Sequence, residues 1–455
     1  MTIQMKPPTM AVPASPLVTA PILPTLIRLA APNAVASIGA TLVAIAETSY
    51  IGRLGTEQLA AIALVFPFVM LTQMMSAGAM GGGVSSAISR SLGAGNPDRA
   101  AMLALHAAII GLGGGLLFTA IMLIFGKHLY ALLGGRGRVL DEALLYSQIL
   151  FSGAASIWLV NTLASVLRGT GDMMRSSGVV LTVALIQAIA GGVLGLGVGP
   201  IPRFGMQGVA AGQLIAFTLG ALFLAWYILS GRSRLTLRVS AFTFQRDMFF
   251  DILKVGAISC LAPLQSVLAI LIFTRIVASF GPEALAGYGI GARLEFLLVP
   301  ISFALGVASI PVVGMAIGAG LVTRARRAAW TAGGLAGLLV GLVGLTVWIA
   351  PDLWIGLFTQ NESVRTAARS YFAWAGPAYG FFGLGVCLYF ASQGAAKVGG
   401  PVIAGTARLL MVLVGGWWLA SSGAELWTLF ALVAASMAVF GLLSAVVVRA
   451  TSWGD

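Results

Sequence analysis

Residues 48–60 read TSYIGRLGTEQLA, and residues 274–286 read TRIVASFGPEALA. Five positions are identical in the two stretches at a separation of 226 residues, and in the first stretch they are Thr48, Gly55, Glu57, Leu59 and Ala60. An offset of 225 residues pairs Gly93-Ala94-Gly95 with Gly318-Ala319-Gly320, Leu132 with Leu357, Val139 with Val364, Tyr146 with Tyr371, and Gly169 with Gly394. This nearly constant offset, more than any single identity, indicates that the chain consists of two similar halves.

The composition indicates the solvent in which these halves fold. Of the 455 residues, 59% are hydrophobic and 9% are charged, and the mean hydropathy is +0.99. A soluble domain carries about 25% charged residues, so this chain could not cover a surface that faces water. The apolar runs are long and do not alternate with period two, which favours spanning helices of roughly 20 residues over a β-barrel. We therefore predict an all-α integral membrane protein.

Turn signals and charges divide the chain into twelve apolar runs, six on each side of a polar stretch. We expect an N-terminal six-helix lobe over residues 24–230, a cytoplasmic linker over 231–250 and a C-terminal six-helix lobe over 251–449. Residues 1–23 lack the compact apolar segment of a signal peptide. We expect them to form a disordered cytoplasmic tail, with a second short cytoplasmic tail over residues 450–455.

The distribution of Lys and Arg predicts the orientation. If the N-terminus is cytoplasmic, the cytoplasmic loops and both tails hold 16 of these 26 residues and the opposite loops hold 9, with Arg408 left out because it lies within a span. The positive-inside rule thus predicts that both termini are cytoplasmic. We expect the protein to lie in the inner (plasma) membrane of a cell. Because each half has an even number of spans, the halves are parallel repeats related by a pseudo-twofold axis along the membrane normal. Rocking two such lobes about a central cleft is typical of a transporter, which we expect to be a monomer.

Other classes of protein fit the sequence poorly. The net charge of +12 is scattered in short gaps between apolar runs, so we expect no nucleic-acid partner. The glycines of residues 111–115 lie in apolar helix without a preceding strand, and no Gly-Lys-Ser/Thr phosphate loop occurs. His106 and His128 are the two histidines, and Cys260 and Cys387 both fall within apolar runs. We therefore predict no enzymatic activity, no metal and no cofactor.

Glu47 is the only acid within a predicted span of the first half. It ends a helical stripe of small residues, Ala36, Ala40 and Ala44, which lets a neighbouring helix approach closely. The carboxyl is therefore expected to face the interior, where its charged form is disfavoured and it can exchange a proton. The alternative is a structural carboxyl bonded to a neighbour. Pro32 removes a helix hydrogen bond, so it predicts either a kink that switches with protonation or a static one.

The second half has Phe273 at the position of Glu47, so charge does not repeat between the halves. Its charged candidates are Arg275, Arg293, Glu295 and Arg408. Arg293 and Glu295 are two residues apart and would not face each other on one helix. We expect these side chains either to take part in transport or to form interior pairs. Three polar residues of the first half either line a pocket with Glu47 or bond helices together: Asn161, Gln187 and Gln213.

Several motifs occur in the order and spacing of one known family. In the first half they are Pro32 followed by Glu47 to Gly55, Gly93 to Asn96 with Arg99-Ala100, and Arg168 to Asp172. In the second half they are Ala286 to Ile290 with Arg293 to Glu295, and Gly318 to Gly320. From about residue 24 to 449 the chain resembles the multidrug and toxic compound extrusion (MATE) transporters, particularly their DinF-like branch. The resemblance implies export of organic, often cationic, compounds driven by inward flow of protons or sodium ions.

The chain departs from this family pattern at two places. The family usually has Asp where this chain has Glu47, and DinF-like members often have Asn and Asp where this chain has Gln187 and Gly191. Loss of the second acid disfavours sodium, because a hard cation prefers several oxygen ligands. Members that couple through the second half carry acids in spans seven and ten, which here are absent around Gln265 and residues 383–388. We therefore expect proton coupling through Glu47.

The leading prediction is a proton-coupled antiporter that exports drugs or other organic, cationic or amphiphilic compounds by alternating access within membrane lipid. One alternative is a lipid-linked oligosaccharide flippase of the same superfamily, which would need a cationic cavity for a pyrophosphate. Arg275, Arg293 and Arg408 keep that alternative open. An intramembrane enzyme of lipid metabolism and a scaffold that transports nothing are further alternatives, and the lack of His and acid clusters disfavours the enzyme.

Overall fold

The computed structural model describes residues 15–237, 240 and 242–454, and these contain twelve long helices and no strand. In the first half the helices are α1 (Ile22–Gly52), α2 (Thr56–Gly93), α3 (Pro97–Leu132), α4 (Gly137–Ser152 and Ala154–Gly169), α5 (Met173–Leu196) and α6 (Gly205–Leu229). In the second half they are α7 (Arg246–Ala278), α8 (Pro282–Gly318), α9 (Val322–Ile349), α10 (Glu362–Gly394), α11 (Gly399–Ser421) and α12 (Leu426–Ala450).

Almost all of these helices could cross a membrane by length and composition. Ten do so individually, and α4, which bends by 49° beside Gly153, makes eleven among the described residues. The remaining helix, α10, has 33 residues and packs against α8, α9 and α12. Because protein rather than lipid surrounds α10, fewer of its side chains have to be apolar. The predicted fold of twelve helices in two six-helix bundles is confirmed.

The first helix contributes to the cores of both lobes. Leu26, Leu29 and Ala30 are buried in one cluster with Leu305 and Ala308 of α8. The rest of α1 packs mainly along α5. Helix α1 therefore begins in the core of the second lobe and ends in the first lobe, where Glu47 lies.

The two lobes are joined at one end of the molecule, which we call the linker end because α6 finishes there and α7 begins there. The Ser86 hydroxyl of α2 donates to the backbone carbonyl of Gln393 in α10, and the Gln393 amide donates to the carbonyl of Gly78 at 3.2 Å. A Cβ added at Gly93 would lie 2.2 Å from the carbonyl oxygen of Met315. Such contact between backbones requires glycine, so the lobes interlock closely at this end.

Charged side chains reinforce this junction. Arg90 pairs with Asp251 at the start of α7, and Arg99 lies 3.2 Å from Asp247 and 3.4 Å from Asp251. Among the residues that the structure describes, every hydrogen bond or ion pair between the lobes lies at the linker end. The lobes are therefore held together at that end of the cleft.

The segment before α1 differs from the disordered tail predicted over residues 1–23. Residues Pro16–Thr19 form a short helix, and the Arg324 guanidinium of α9 donates to the carbonyls of Leu17, at 3.2 Å, and Ala20. Burial of Leu17 in the core that joins the lobes explains the order of this part. Residues 1–14, Arg238 and residue 455 lie outside the described residues. Helix α7 begins at Arg246, within the linker predicted over residues 231–250.

Candidate functional site

Glu47 lies in the interior of the first lobe, where four helices meet. Its Oε2 accepts a hydrogen bond of 2.9 Å from the Gln187 amide of α5, and its Oε1 lies 3.2 Å from the Tyr146 hydroxyl of α4. That hydroxyl is also 2.9 Å from Oε1 of Gln213 in α6. Two of the predicted pocket residues, Gln187 and Gln213, are thus brought to Glu47, and Tyr146 joins them. We call these four residues the first-lobe cluster.

No cation balances the carboxylate of Glu47. Within the described part of the chain, no Lys or Arg nitrogen lies within 4.0 Å of it. Its hydrogen-bond partners are an amide and a phenol, both of which are neutral. An ionised carboxylate without a counter-ion is costly inside a membrane. A proton is therefore the simplest way to neutralise Glu47 in this position.

Gly191 lies where DinF-like members often have a second acid, and its surroundings leave no space for one. A Cβ at Gly191 would lie 2.7 Å from the hydroxyl oxygen of Tyr50, and α6 crosses so closely that a Cβ at Gly212 would lie 2.3 Å from the Gly191 nitrogen. Tyr50 is buried, and its hydroxyl has no hydrogen-bond partner among the described residues. Tyr50 thus occupies the space of the second acid. Tyr50 lies one helical turn after Glu47, and this spacing is the signal by which it could be found from the sequence.

Asn161 lies elsewhere, so the prediction that it lines the Glu47 pocket is wrong. It is 15 residues beyond Tyr146 on α4, which corresponds to about 22 Å at 1.5 Å per residue. Its amide donates to Gln73 and to Ser76 of α2, both at 2.8 Å. Asn161 therefore bonds α4 to a π-helical turn of α2, Met74–Met80.

Pro32 lies at the point where α1 passes from one lobe to the other. Leu29 and Ala30 before it belong to the core shared with α8, whereas a Cβ at Gly39 after it would collide with Leu181 of α5. Pro32 interrupts the hydrogen bonds of α1 between these two attachments. Pro32 therefore lies between the segment fixed to the second lobe and the segment that carries Glu47.

The second lobe has an interior carboxylate of its own, Glu295 on α8. The Tyr371 hydroxyl of α10 donates to Glu295, and the Tyr379 hydroxyl lies 3.4 Å from the same oxygen. Both tyrosines are completely buried. Tyr371 is the residue that the 225-residue offset pairs with Tyr146. The second lobe therefore holds the candidate Glu295 on α8, whereas Phe273 occupies the position on α7 that corresponds to Glu47.

The three other charged candidates of the second half are separated. The guanidinium of Arg408 lies 5.1 Å from the ring centre of Phe382 and inside the lobe. Arg293 is exposed and lies over the Phe358 ring at 5.1 Å, and Arg275 is exposed as well. The structure therefore does not gather the arginines into the broad cationic cavity that a pyrophosphate flippase would need. Among the described residues, no group of three His, Cys, Asp or Glu side chains is placed to hold a metal ion.

Two six-helix lobes joined at one end, each with an ionisable group in its interior, define a transporter of the multi-pass membrane type. A family model described as MatE matches residues 32–193 and 259–418. Because these ranges cover most of the chain, it belongs to the MATE family of transporters, and the predictions of the family and of a protein that is not an enzyme are confirmed. The DinF-like branch stays a prediction.

Known relatives differ in what their names say they carry. The chain is 31% identical over 286 residues to a FAD transporter of Shewanella oneidensis, covering 61% of each chain. It is 25% identical over 305 residues to the probable multidrug resistance protein NorM of Thermotoga maritima, covering 65% of this chain and 63% of the relative. These alignments span less than two thirds of either relative.

Solved structures share the fold over the whole chain. An outward-facing multidrug resistance MATE transporter of the MOP superfamily superposes with a TM-score of 0.88 at 23% sequence identity. The superposition covers 96% of this chain and 98% of that structure. At 23% identity, this superposition shows that the two proteins share a fold.

Proposed function

We propose that the protein exports organic compounds from the cytoplasm in exchange for protons, and that Glu47 is the proton-exchanging group. The observation that carries this proposal is the neutral set of partners around Glu47: one amide and one phenol, with no cation among the described residues within 4.0 Å. With neutral partners, the net charge around Glu47 is set by whether its carboxyl holds a proton. The space beside it that a second acid would need is occupied by Tyr50, which disfavours a sodium site.

Protonation would act on α1 through its hydrogen bonds. When Glu47 is protonated, one of its two oxygens becomes a hydrogen-bond donor. At least one of the hydrogen bonds that it accepts from Gln187 and Tyr146 must then change. The end of α1 would then shift against α5, whereas its beginning stays fixed in the core shared with α8. Pro32 lies between the two parts and can bend. A movement that starts at Glu47 is thereby passed to the contact between the lobes, as alternating access requires.

The bonded linker end supports an outward-facing state. In the predicted orientation the linker is cytoplasmic, so the hydrogen bonds and ion pairs at that end would close the cleft on the cytoplasmic side. Glu47, near the other end of α1, would then be reached by protons from outside. Proton uptake would release the substrate outward, and return of the closed end to an open state would admit a new substrate. We propose that a monomer in the inner membrane performs this cycle.

Proteoliposomes that contain the purified protein and a fluorescent organic cation test the proposal. Proton and sodium gradients are imposed separately on wild type, on Glu47→Gln and on the matched control Glu57→Gln, whose acid is an exposed partner of Arg138. We expect a proton gradient to drive transport by wild type and by the control. Glu47→Gln should lose at least about tenfold in rate, a change equivalent to ~1.4 kcal/mol. Equal proton-driven transport by Glu47→Gln, or transport driven by sodium alone, would contradict the proposal.

A further inference from the structure

Glu295 in the second lobe is held in place by two hydrogen-bond donors. Two buried phenols, those of Tyr371 and Tyr379, point their hydroxyls at one of its oxygens. Hydrogen bonds donated to a carboxylate stabilise its ionised form. Arg408 on α11 lies over the ring of Phe382, which is one helical turn after Tyr379 on α10, so it lies in the same part of the lobe as Glu295. Glu47 differs in that it accepts from one phenol and one amide, whereas Glu295 accepts from two phenols.

Arg408 is a cation without a direct counter-ion. Among the residues that the structure describes, no carboxylate oxygen lies within 4.0 Å of its guanidinium, and its buried Nε has no hydrogen-bond partner. Its guanidinium instead lies over the ring of Phe382. A guanidinium offers five donors in a planar fork that fits a carboxylate or a phosphate. The lobe therefore holds an acid and a guanidinium in one region that form no ion pair with each other.

Aromatic rings surround these two charges. Tyr288 lies edge-on to Phe273 at 5.1 Å and to Tyr371 at 5.6 Å, and Phe382 lies 6.2 Å from Phe440. Phe382, Glu295 and Arg408 are each partly exposed, whereas the tyrosines that orient Glu295 are buried. Buried tyrosines therefore orient the acid beside residues that are partly exposed. Flat aromatic molecules pack well against such rings.

We propose that Glu295, Arg408 and Phe382 form a substrate site for zwitterionic aromatic compounds. The cationic group of the substrate lies at Glu295, its anionic group lies on the guanidinium of Arg408, and its ring system packs against Phe382. A zwitterion supplies a partner for each interior charge and adds no net charge to the membrane interior, where an unpaired charge is costly. This proposal rests on the proposed export function, since it names the substrate class of the same transporter.

Equilibrium binding tests the site without any ion gradient. Fluorescence anisotropy is measured for three dyes with the purified full-length protein in detergent: a rhodamine with a free carboxylate, which is a zwitterion, its methyl ester, which is a cation, and the anion fluorescein. We expect wild type to bind the zwitterion most tightly. Arg408→Gln should weaken binding of the zwitterion by about 30-fold and binding of the ester by less than about twofold. Glu295→Gln should weaken binding of both the zwitterion and the ester and leave fluorescein unaffected or bound more tightly.

Matched controls separate the site from general charge effects. Arg275→Gln and Glu283→Gln remove exposed charges of α7 and α8 and should leave all three dissociation constants unchanged. If Arg408→Gln does not fold, Arg408→Lys keeps the charge but loses the planar fork, and should weaken binding of the zwitterion more than that of the ester. Equal effects of each variant on all three dyes would overturn the proposal. If wild type shows this preference in binding but no proton-driven transport, the proposed function fails and the site stands.

Discussion

Tyr146 and Tyr371 occupy matched positions 225 residues apart, and the hydroxyl of each is hydrogen-bonded to an interior carboxylate of its own lobe. The two acids are not matched, because Glu47 lies on α1 and Glu295 lies on α8. The position of the donating tyrosine is thus repeated in the two lobes. The accepting carboxylate is not, because it comes from the first helix of one lobe and the second helix of the other. Glu47 has an amide, that of Gln187, as its second partner, whereas Glu295 has a second tyrosine, Tyr379. The two tyrosines should therefore affect transport in different ways.

Replacing each tyrosine by phenylalanine tests this difference. Tyr146→Phe removes a donor from ionised Glu47, so protonation becomes easier and the pH profile of proton-driven transport should move to higher pH by roughly one unit, or ~1.4 kcal/mol. Tyr371→Phe should weaken substrate binding and leave the position of the profile unchanged. The measurement is the initial transport rate against pH in proteoliposomes. Tyr227→Phe, which changes an exposed hydroxyl bonded to the Arg232 carbonyl, is the control. Identical profiles for Tyr146→Phe and wild type would contradict the prediction.

The contact between Gly191 and Tyr50 predicts a rescue. Gly191→Ala places a Cβ 2.7 Å from the Tyr50 hydroxyl and should lower the free energy of unfolding by about 1–3 kcal/mol. Adding Tyr50→Phe removes that oxygen and leaves the next atoms of the ring and backbone at 3.5 Å or more, so most of the loss should be recovered. Gly178→Ala, whose Cβ meets nothing within 4 Å, is the matched control. Thermal unfolding in detergent measures all four proteins, and a double variant no more stable than Gly191→Ala would refute this contact.

The ion pairs at the linker end should hold the lobes together there. Asp251→Asn removes the carboxylate shared by Arg90 and Arg99, and partly exposed pairs of this kind contribute about 1 kcal/mol. We expect the population open at the linker end to rise by about fivefold. Spin labels at Asp98→Cys and Thr323→Cys, after both native cysteines are replaced, report the separation of the lobes. Arg138→Gln breaks a pair with Glu57 within the first lobe and should leave the distance distribution unchanged, whereas an unchanged distribution for Asp251→Asn would exclude a role in closure.

The charge of the substrate should decide whether transport moves net charge. With one proton exchanged at Glu47, export of a monovalent cation is electroneutral, whereas export of a zwitterion carries one positive charge inward in each cycle. An inside-negative potential set by potassium and valinomycin should therefore accelerate export of the zwitterionic rhodamine and leave that of its methyl ester unchanged. At a potential of 100 mV the driving force is about 2.3 kcal/mol per charge. Equal acceleration of both dyes would show that the stoichiometry differs from one proton.

The sequence indicated those features that depend on regular patterns along the chain. The constant offset between the halves, together with long apolar runs, was enough to predict twelve helices. Glu47 was identified because an acid is rare in such a run. Gln187 lies where DinF-like members often have Asn, so the family pattern pointed to it. Each of these inferences needed information from one helix or one repeat.

Features that depend on contacts between distant helices were missed. Glu295 and Tyr371 are 76 residues apart, and the offset gave the position of the tyrosine but not that of its acid. Asn161 was grouped with Glu47 because both are polar, although α4 carries Asn161 to another level of the membrane. The order of Leu17 and its neighbours depends on Arg324 of α9, which no local pattern reveals. In each of these cases, the partners of the residue depend on how distant helices pack together.

The position of α1 in two cores has a consequence for how the protein is made. Helix α1 leaves the ribosome long before α8, yet most of the side chains that surround Leu26 and Leu29 belong to α8 and its neighbours, which are synthesised in the second half of the chain. The beginning of α1 must therefore remain in lipid or in contact with the insertion machinery until those helices arrive. A gene divided at the linker would yield a second fragment that lacks part of its own interior, so the two halves are a single folding unit despite their repetition.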